Sequence, residues 1–91
     1  MAPGNYRRIK ANGITFVFKY DPADPTLLHI FVRHLKTPRE AMRVWFQGHH
    51  EYNRAHRRFE AVLEGVRVTW FPINLQENVF MIVSCHDLRE E

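Results

Sequence analysis

Cysteine is nearly absent. Cys85 stands alone, so the chain cannot form an internal disulfide. It follows Met81-Ile82-Val83-Ser84 in an apolar run, where a buried structural thiol is the expected state. Long hydrophobic runs are missing too: no apolar stretch approaches the about 18 residues of a membrane-crossing helix, so no membrane partner is expected. The opening Met1–Arg8 is polar and has no apolar h-region, which points to a cytoplasmic protein. There is no cysteine pair and no HExxH arrangement, and adjacent His49 and His50 point apart on a helix or a strand. No metal and no other cofactor is therefore expected. Repeats, low-complexity tracts and linkers are also absent, so residues 1–91 read as one domain.

Acidic charge is scarce in the middle third. The formal net charge is only +3, but between Arg33 and Arg58 basic residues stand at 33, 36, 39, 43, 54, 57 and 58 against Glu40 and Glu51. His34, His49, His50 and His56 fall in the same span. The plain reading is a solvated face. The functional one is a field for a polyanion, RNA or an acidic protein segment, and guanidinium forks suit phosphate geometry. Hydrophobic residues at 45% of the chain suffice for a core, which excludes disorder of the whole chain. The small size leaves a homodimer open.

The expected fold is α+β, with one or two N-terminal helices packed on a small, mainly antiparallel sheet made of an N-terminal strand and a C-terminal meander. Residues 1–11 read as a loose basic arm. Ile14, Phe16, Phe18 and Tyr20 alternate onto one face and predict a strand after the Asn12-Gly13 turn. Asp21-Pro22 and Asp24-Pro25 each offer a helix start, and Leu27, Leu28, Phe31 and Leu35 predict a helix over 26–35, with His29–Val32 also strand-like. Thr37-Pro38-Arg39-Glu40 combines a capping box with proline at the first helical position, and Gly48 is the expected stop. In that helix Ala41, Met42, Trp45 and Phe46 form the buried stripe, while Arg39 and Arg43 share another face. Residues 49–64 fit helix or strand. Turn chemistry favours a polar loop near 48–56 and a strand from about Arg57, then a hairpin at Glu64-Gly65 and a strand ended by Pro72. Val79–Cys85 reads as a central strand buried on both faces. The helices would cover one face of the sheet and leave the other for a ligand.

Cleavage of RNA by its own 2′-hydroxyl needs no metal. It needs a base near that oxygen, a cation on the phosphate and an acid for the leaving group. The middle third supplies residue types for each role, and His34, His50, Arg58 and Glu60 are the catalytic candidates. Arg33, Arg39, Arg43, Arg54 and Arg57 are the candidate phosphate contacts, with Tyr52 as a base-stacking ring.

The order of short motifs carries a resemblance. Phe18-Lys19-Tyr20-Asp21-Pro22, Arg33-His34, Thr37-Pro38-Arg39-Glu40-Ala41, Trp45-Phe46, Arg58-Phe59 and Ile82-Val83-Ser84 together resemble the BrnT-type toxins, small RelE-like ribonucleases of bacterial toxin–antitoxin pairs. The resemblance implies a RelE-like fold, metal-independent endoribonuclease activity and a neutralising antitoxin partner. It assigns family positions to Arg33, His34, Glu40 and Arg58. The chain departs from the family pattern at Leu35, where glycine usually follows the histidine, and at Cys85-His86, where an arginine is expected. The family's basic C-terminal helix has no counterpart here. A non-catalytic module for nucleic acid or an acidic protein is the competing expectation.

Overall fold

The computed structural model describes residues 6–90. They form two helices and a six-stranded mixed sheet: β1 (Tyr6–Ala11), β2 (Ile14–Lys19), α1 (His29–His34), α2 (Pro38–Gln47), β3 (His49–Asn53), β4 (Arg58–Leu63), β5 (Val66–Asn74) and β6 (Val79–Asp87), with a closing 3-10 turn at Leu88–Glu90. The strand order is β1-β2-β6-β5-β4-β3. Only β2 and β6 run parallel; the other neighbours are antiparallel. The α+β class with a mainly antiparallel sheet is as expected from the sequence.

Two hairpins share one turn chemistry. Asn12-Gly13 (φ 53° and 79°) and Glu64-Gly65 (φ 51° and 80°) are two-residue loops with both residues left-handed, the geometry that matches the twist of flanking strands. The first of these corrects the reading of residues 6–11 as a loose arm. Tyr6–Ala11 pairs along its whole length with β2, and its basic side chains are what an edge strand tolerates. Residues 1–5 of the expected arm lie outside the described residues. The polar loop expected at 48–56 is a second correction: His49–Asn53 is the opposite edge strand, paired with β4.

The helices follow the sequence unevenly. α2 starts as its capping signal requires, with the Glu40 N–H donating to Thr37 Oγ1 at 3.2 Å and proline in the first turn. Its buried side differs from the expected stripe. Ala41 and Val44 are fully buried, whereas Phe46 is 38% exposed. Gly48 ends the helix in an extended conformation and leads directly into β3. Glycine is required there by space: a Cβ would meet the Val44 carbonyl oxygen at 2.5 Å and the Val62 carbonyl oxygen at 2.8 Å. α1 is shorter than the expected 26–35. The Asp-Pro pairs do not cap it; Asp21 Oδ1 accepts from the Ala23 N–H and Asp24 Oδ1 from the Thr26 N–H, forming local turns instead. α1 ends at Leu35, a left-handed residue (φ 57°) that is 76% exposed.

The core lies between the helices and one sheet face. Phe16, Phe18, Ile30, Ala41, Val44, Ala61, Val68, Ile82 and Cys85 are buried together. Complete burial of an aromatic or large aliphatic side chain contributes about 1.5–3 kcal/mol, so Phe16 and Phe18 anchor β2 at the centre. Ring contacts among Phe16, Trp45, Trp70 and Phe80, edge-to-face except for the tilted Trp45–Phe80 pair, extend this core under the end of α2. β6 is central, as expected, but not covered on both faces: Val83 is 44% exposed, at a register shift against β5. β5 also runs past Pro72 to Asn74, through a second irregularity. Pairing of β6 with β2 is limited to Val79–Ile82; α1 also packs against β6, and the His34 ring meets that of His86.

Candidate nucleic-acid interface

Side chains alternate between the two faces of a strand, so register fixes which residues share the face opposite α2. Ala61 and Val68 belong to the core, so Glu60, Thr69 and Arg67 point the other way. On that face, on β4 next to the edge strand β3, Glu60 is 2% exposed. Arg58 Nε donates to Glu60 Oε2 at 2.7 Å, and Asn53 Nδ2 donates to the same oxygen at 3.2 Å. Arg67 Nε lies 3.7 Å from Glu60 Oε1. Burial would push the Glu60 carboxyl up, but the hydrogen bonds from Arg58 and Asn53 and the Arg67 charge outweigh it and hold it below the usual glutamate value. Glu60 is thus held toward its carboxylate form, hydrogen-bonded to Arg58 and within ion-pair distance of Arg67. The Thr69 hydroxyl, buried on the neighbouring strand across from Glu60, has no hydrogen-bond partner among the described residues.

The row continues along the sheet. His86 is the cross-strand neighbour of Arg67, and the His86 ring lies 5.4 Å from that of His34 at the end of α1. On the far side, Arg8, Lys10 and Lys19 alternate with residues packed toward the helices and so fall on the same helix-free face. The face therefore carries Arg8, Lys10, Lys19, Arg58 and Arg67 against Glu51 and Glu60.

Of the four residues expected to be catalytic, Arg58 and Glu60 meet directly, and His34 borders them through His86 and Arg67. His50 does not join them. It lies opposite Ala61 on the helix side, where its Nε2 pairs with the Trp45 carbonyl oxygen at the end of α2. Parity is the reason: residues 50 and 61 face the core, so 51 and 60 cannot.

The expected RNA contacts divide in the same way. Tyr52 is on the helix side, edge-to-face with Phe59 at 4.9 Å, although it is 49% exposed. Arg43 is engaged by Glu64, its Nη2 lying 3.1 Å from each carboxylate oxygen, while Arg39 is exposed on the same helix. Arg33 Nε lies 3.6 Å from the buried Asp21 carboxylate. Arg54 and Arg57 occupy the turn between β3 and β4, next to Arg58. The basic middle third is therefore not one surface. Lys36, counted in it, is buried, with Nζ 2.9 Å from Asp87 Oδ1 and 3.4 Å from Glu40 Oε2, and it ties the helix linker to β6.

Sequence reasoning missed Asn53, Arg67, His86, Arg8, Lys10 and Lys19. A signal for Arg67 exists: a two-residue Glu64-Gly65 turn sets Leu63 opposite Val66, which places Thr69 opposite Glu60 and Arg67 on its diagonal. Among the described residues no group of three or more histidine, cysteine, aspartate or glutamate side chains is arranged to hold a metal ion, and no helix is long and apolar enough to cross a membrane. Comparison with protein families, with curated proteins and with solved structures finds no match to this chain.

Proposed function

We propose that the chain is an RNA-binding protein of the RelE-like toxin type that holds a single strand on the helix-free face of its sheet. One observation carries this reading: Arg58 and Arg67 both pair with a buried Glu60 carboxylate on β4 of that face, with Arg8, Lys10 and Lys19 across the sheet from them. A carboxylate that orients guanidinium groups preorganises them for phosphate. An exposed sheet face also suits unstacked bases better than a duplex groove. The family resemblance of the sequence supports the same substrate.

Cleavage is the second reading, favoured by the imidazoles of His86 and His34 beside Arg67. In that chemistry an imidazole accepts the proton of the 2′-hydroxyl, the 2′-oxygen attacks the adjacent phosphorus, and the 5′-oxygen leaves with a proton from a second acid. The products are a 2′,3′-cyclic phosphate and a 5′-hydroxyl. The arginines would stabilise the charge on phosphorus. Glu60, held ionised by its partners, is a positioning residue in this scheme and not the proton donor. An acidic antitoxin segment would compete with RNA for the same cations.

The test is to incubate the full chain with defined single-stranded RNA, with and without EDTA, and to measure binding and cleavage together. Binding that falls steeply with salt is expected. Each phosphate contact removed by Arg58→Ala or Arg67→Ala should reduce the slope of log K against log salt by about 0.7. Salt-independent affinity, or a slope unchanged in both variants, would remove RNA from this face. Cyclic phosphate ends that persist in EDTA and vanish in His86→Ala would establish the cleavage reading. Binding without them would leave the protein as a non-catalytic module.

A further inference from the structure

The helix-free face carries a second feature that the arginine row does not use. Between Tyr6 of β1 and Phe71 of β5, where the face opposite α2 meets the start of α1, lies a slot of about 220 Å³, floored by Met81 and Val83 and rimmed by Lys19 and His29. Tyr6, Phe71 and Val83 are 49%, 45% and 44% exposed, so the slot presents two aromatic rings and an apolar floor to solvent. Burying such rings is worth more than leaving them wet, so exposed aromatics grouped around one opening point to a ligand. The size is below the about 300 Å³ where pockets for drug-sized ligands begin, which suits a single ring system.

The polar rim narrows the choice. Among the described residues no carboxylate lines the slot, and Lys19 supplies a cation beside the rings. His29 Nδ1 is committed to Asp21 Oδ2 at 3.3 Å, so Nε2 is the ring nitrogen left to meet a ligand. Position then connects the slot with the arginines. Phe71 is two residues along β5 from Thr69, which stands across from Glu60. Two residues of strand span about 7 Å, the length of one nucleotide, which brings a strand leaving the slot to Glu60 and the Arg58 guanidinium hydrogen-bonded to it.

We infer that the slot between Tyr6 and Phe71 takes one nucleobase of the bound strand, stacked against the rings with its polar edge toward Lys19 and His29, while the neighbouring phosphate lies at Arg58 and Arg67. This rests on the reading of the face as an RNA surface, and it adds what that reading lacks: a contact to a base.

Fluorescence anisotropy with labelled octauridylate, octaadenylate and an abasic ribose-phosphate octamer separates the two claims. The wild-type chain should bind at least one of the base-bearing octamers roughly tenfold or more tightly than the abasic one, the range expected of a single stacked base. Phe71→Leu keeps the apolar floor and removes the ring. It should lose roughly that tenfold on the base-bearing octamer, leave the abasic octamer unchanged and leave the salt slope unchanged. Tyr6→Ala should act in the same direction, and Phe71→Trp should preserve binding. Wild-type-like RNA affinity in Phe71→Leu, with a slope that still falls in Arg58→Ala, would overturn the slot and spare the RNA face. Equal weakening on base-bearing and abasic octamers would also overturn it, as expected if the slot instead seats an apolar protein segment. No RNA binding by the wild-type chain would overturn both.

Discussion

Replacing Glu60 by glutamine keeps the side chain's shape and an acceptor oxygen but removes the charge that pairs with Arg58 and Arg67. Glu60 is 2% exposed, while the Arg58 and Arg67 side chains are 36% and 22% exposed. Breaking a fully buried ion pair costs about 3–5 kcal/mol. Here the arginines can regain part of their hydration and the amide still accepts a hydrogen bond. The expected loss is therefore about 2 kcal/mol at pH 7, discounted from that range. For a domain of this size that corresponds to a fall in Tm of about 8–16 °C. The pH dependence has a definite sign. The Glu60 carboxyl titrates below its ordinary value in the folded chain, so its contribution is present above about pH 4.5 and is lost as pH falls through the lowered value. Urea melts of wild type and Glu60→Gln, run from pH 7 downward, should show a constant gap that closes on acidification. The comparison isolates Glu60 from Asp21 and Asp87, which are also held low but are common to both proteins. A gap under about 0.5 kcal/mol at pH 7, the size of an ordinary surface change, would refute the reasoning, as would a gap that widens in acid.

Gly48→Ala should destabilise by about 1–3 kcal/mol, because the new Cβ meets two backbone carbonyl oxygens and either α2 or β4 must move; a thermal melt reads this directly. Leu35→Gly should stabilise. Relief of the left-handed conformation is worth about 1–2 kcal/mol and glycine's extra chain entropy takes back about 0.5–1, leaving roughly 0.5–1 kcal/mol from a residue that buries little. A lower Tm would show that Leu35 packs in a way its exposure does not suggest. Arg43→Ala should change stability by less than about 1 kcal/mol, since both partners of the Arg43–Glu64 pair are well exposed. RNA affinity measured in the same variant should be retained, because Arg43 is on the helix side of the molecule.

How much of this was legible beforehand depends on the range of the interaction concerned. The Thr37 cap, the strand at Ile14–Lys19 and the hairpin at Glu64-Gly65 rest on residues a few positions apart, and each appears where its signal stood. The Asp21-Pro22 and Asp24-Pro25 signals misled, because an aspartate before proline serves a turn as readily as a helix start. β1 and β3 were missed for a different reason. Both are edge strands with exposed polar or charged residues, and the periodicity that marks a half-buried strand is weak in them. Within the candidate site, Arg58 and Glu60 were found by residue type. Their partner Arg67 required the register, and the grouping of Tyr6 with Phe71 required the order of the whole sheet.

The sequence by itself determined the α+β class, the turns with left-handed residues, the start and stop of α2, and a surplus of basic groups in the middle third. These follow from backbone sterics, capping and composition, which act locally. Only the tertiary structure decided which cations act together. A shift of one residue in register moves a side chain to the other face, so His50 was carried to the helices and Glu60 to the open sheet. Lys36 was withdrawn from the basic surface by Asp87, 51 residues away. The charge that begins as a cluster in sequence thus ends as two faces, and the one opposite α2 joins Arg58 and Arg67 to Arg8, Lys10 and Lys19 from the first twenty residues.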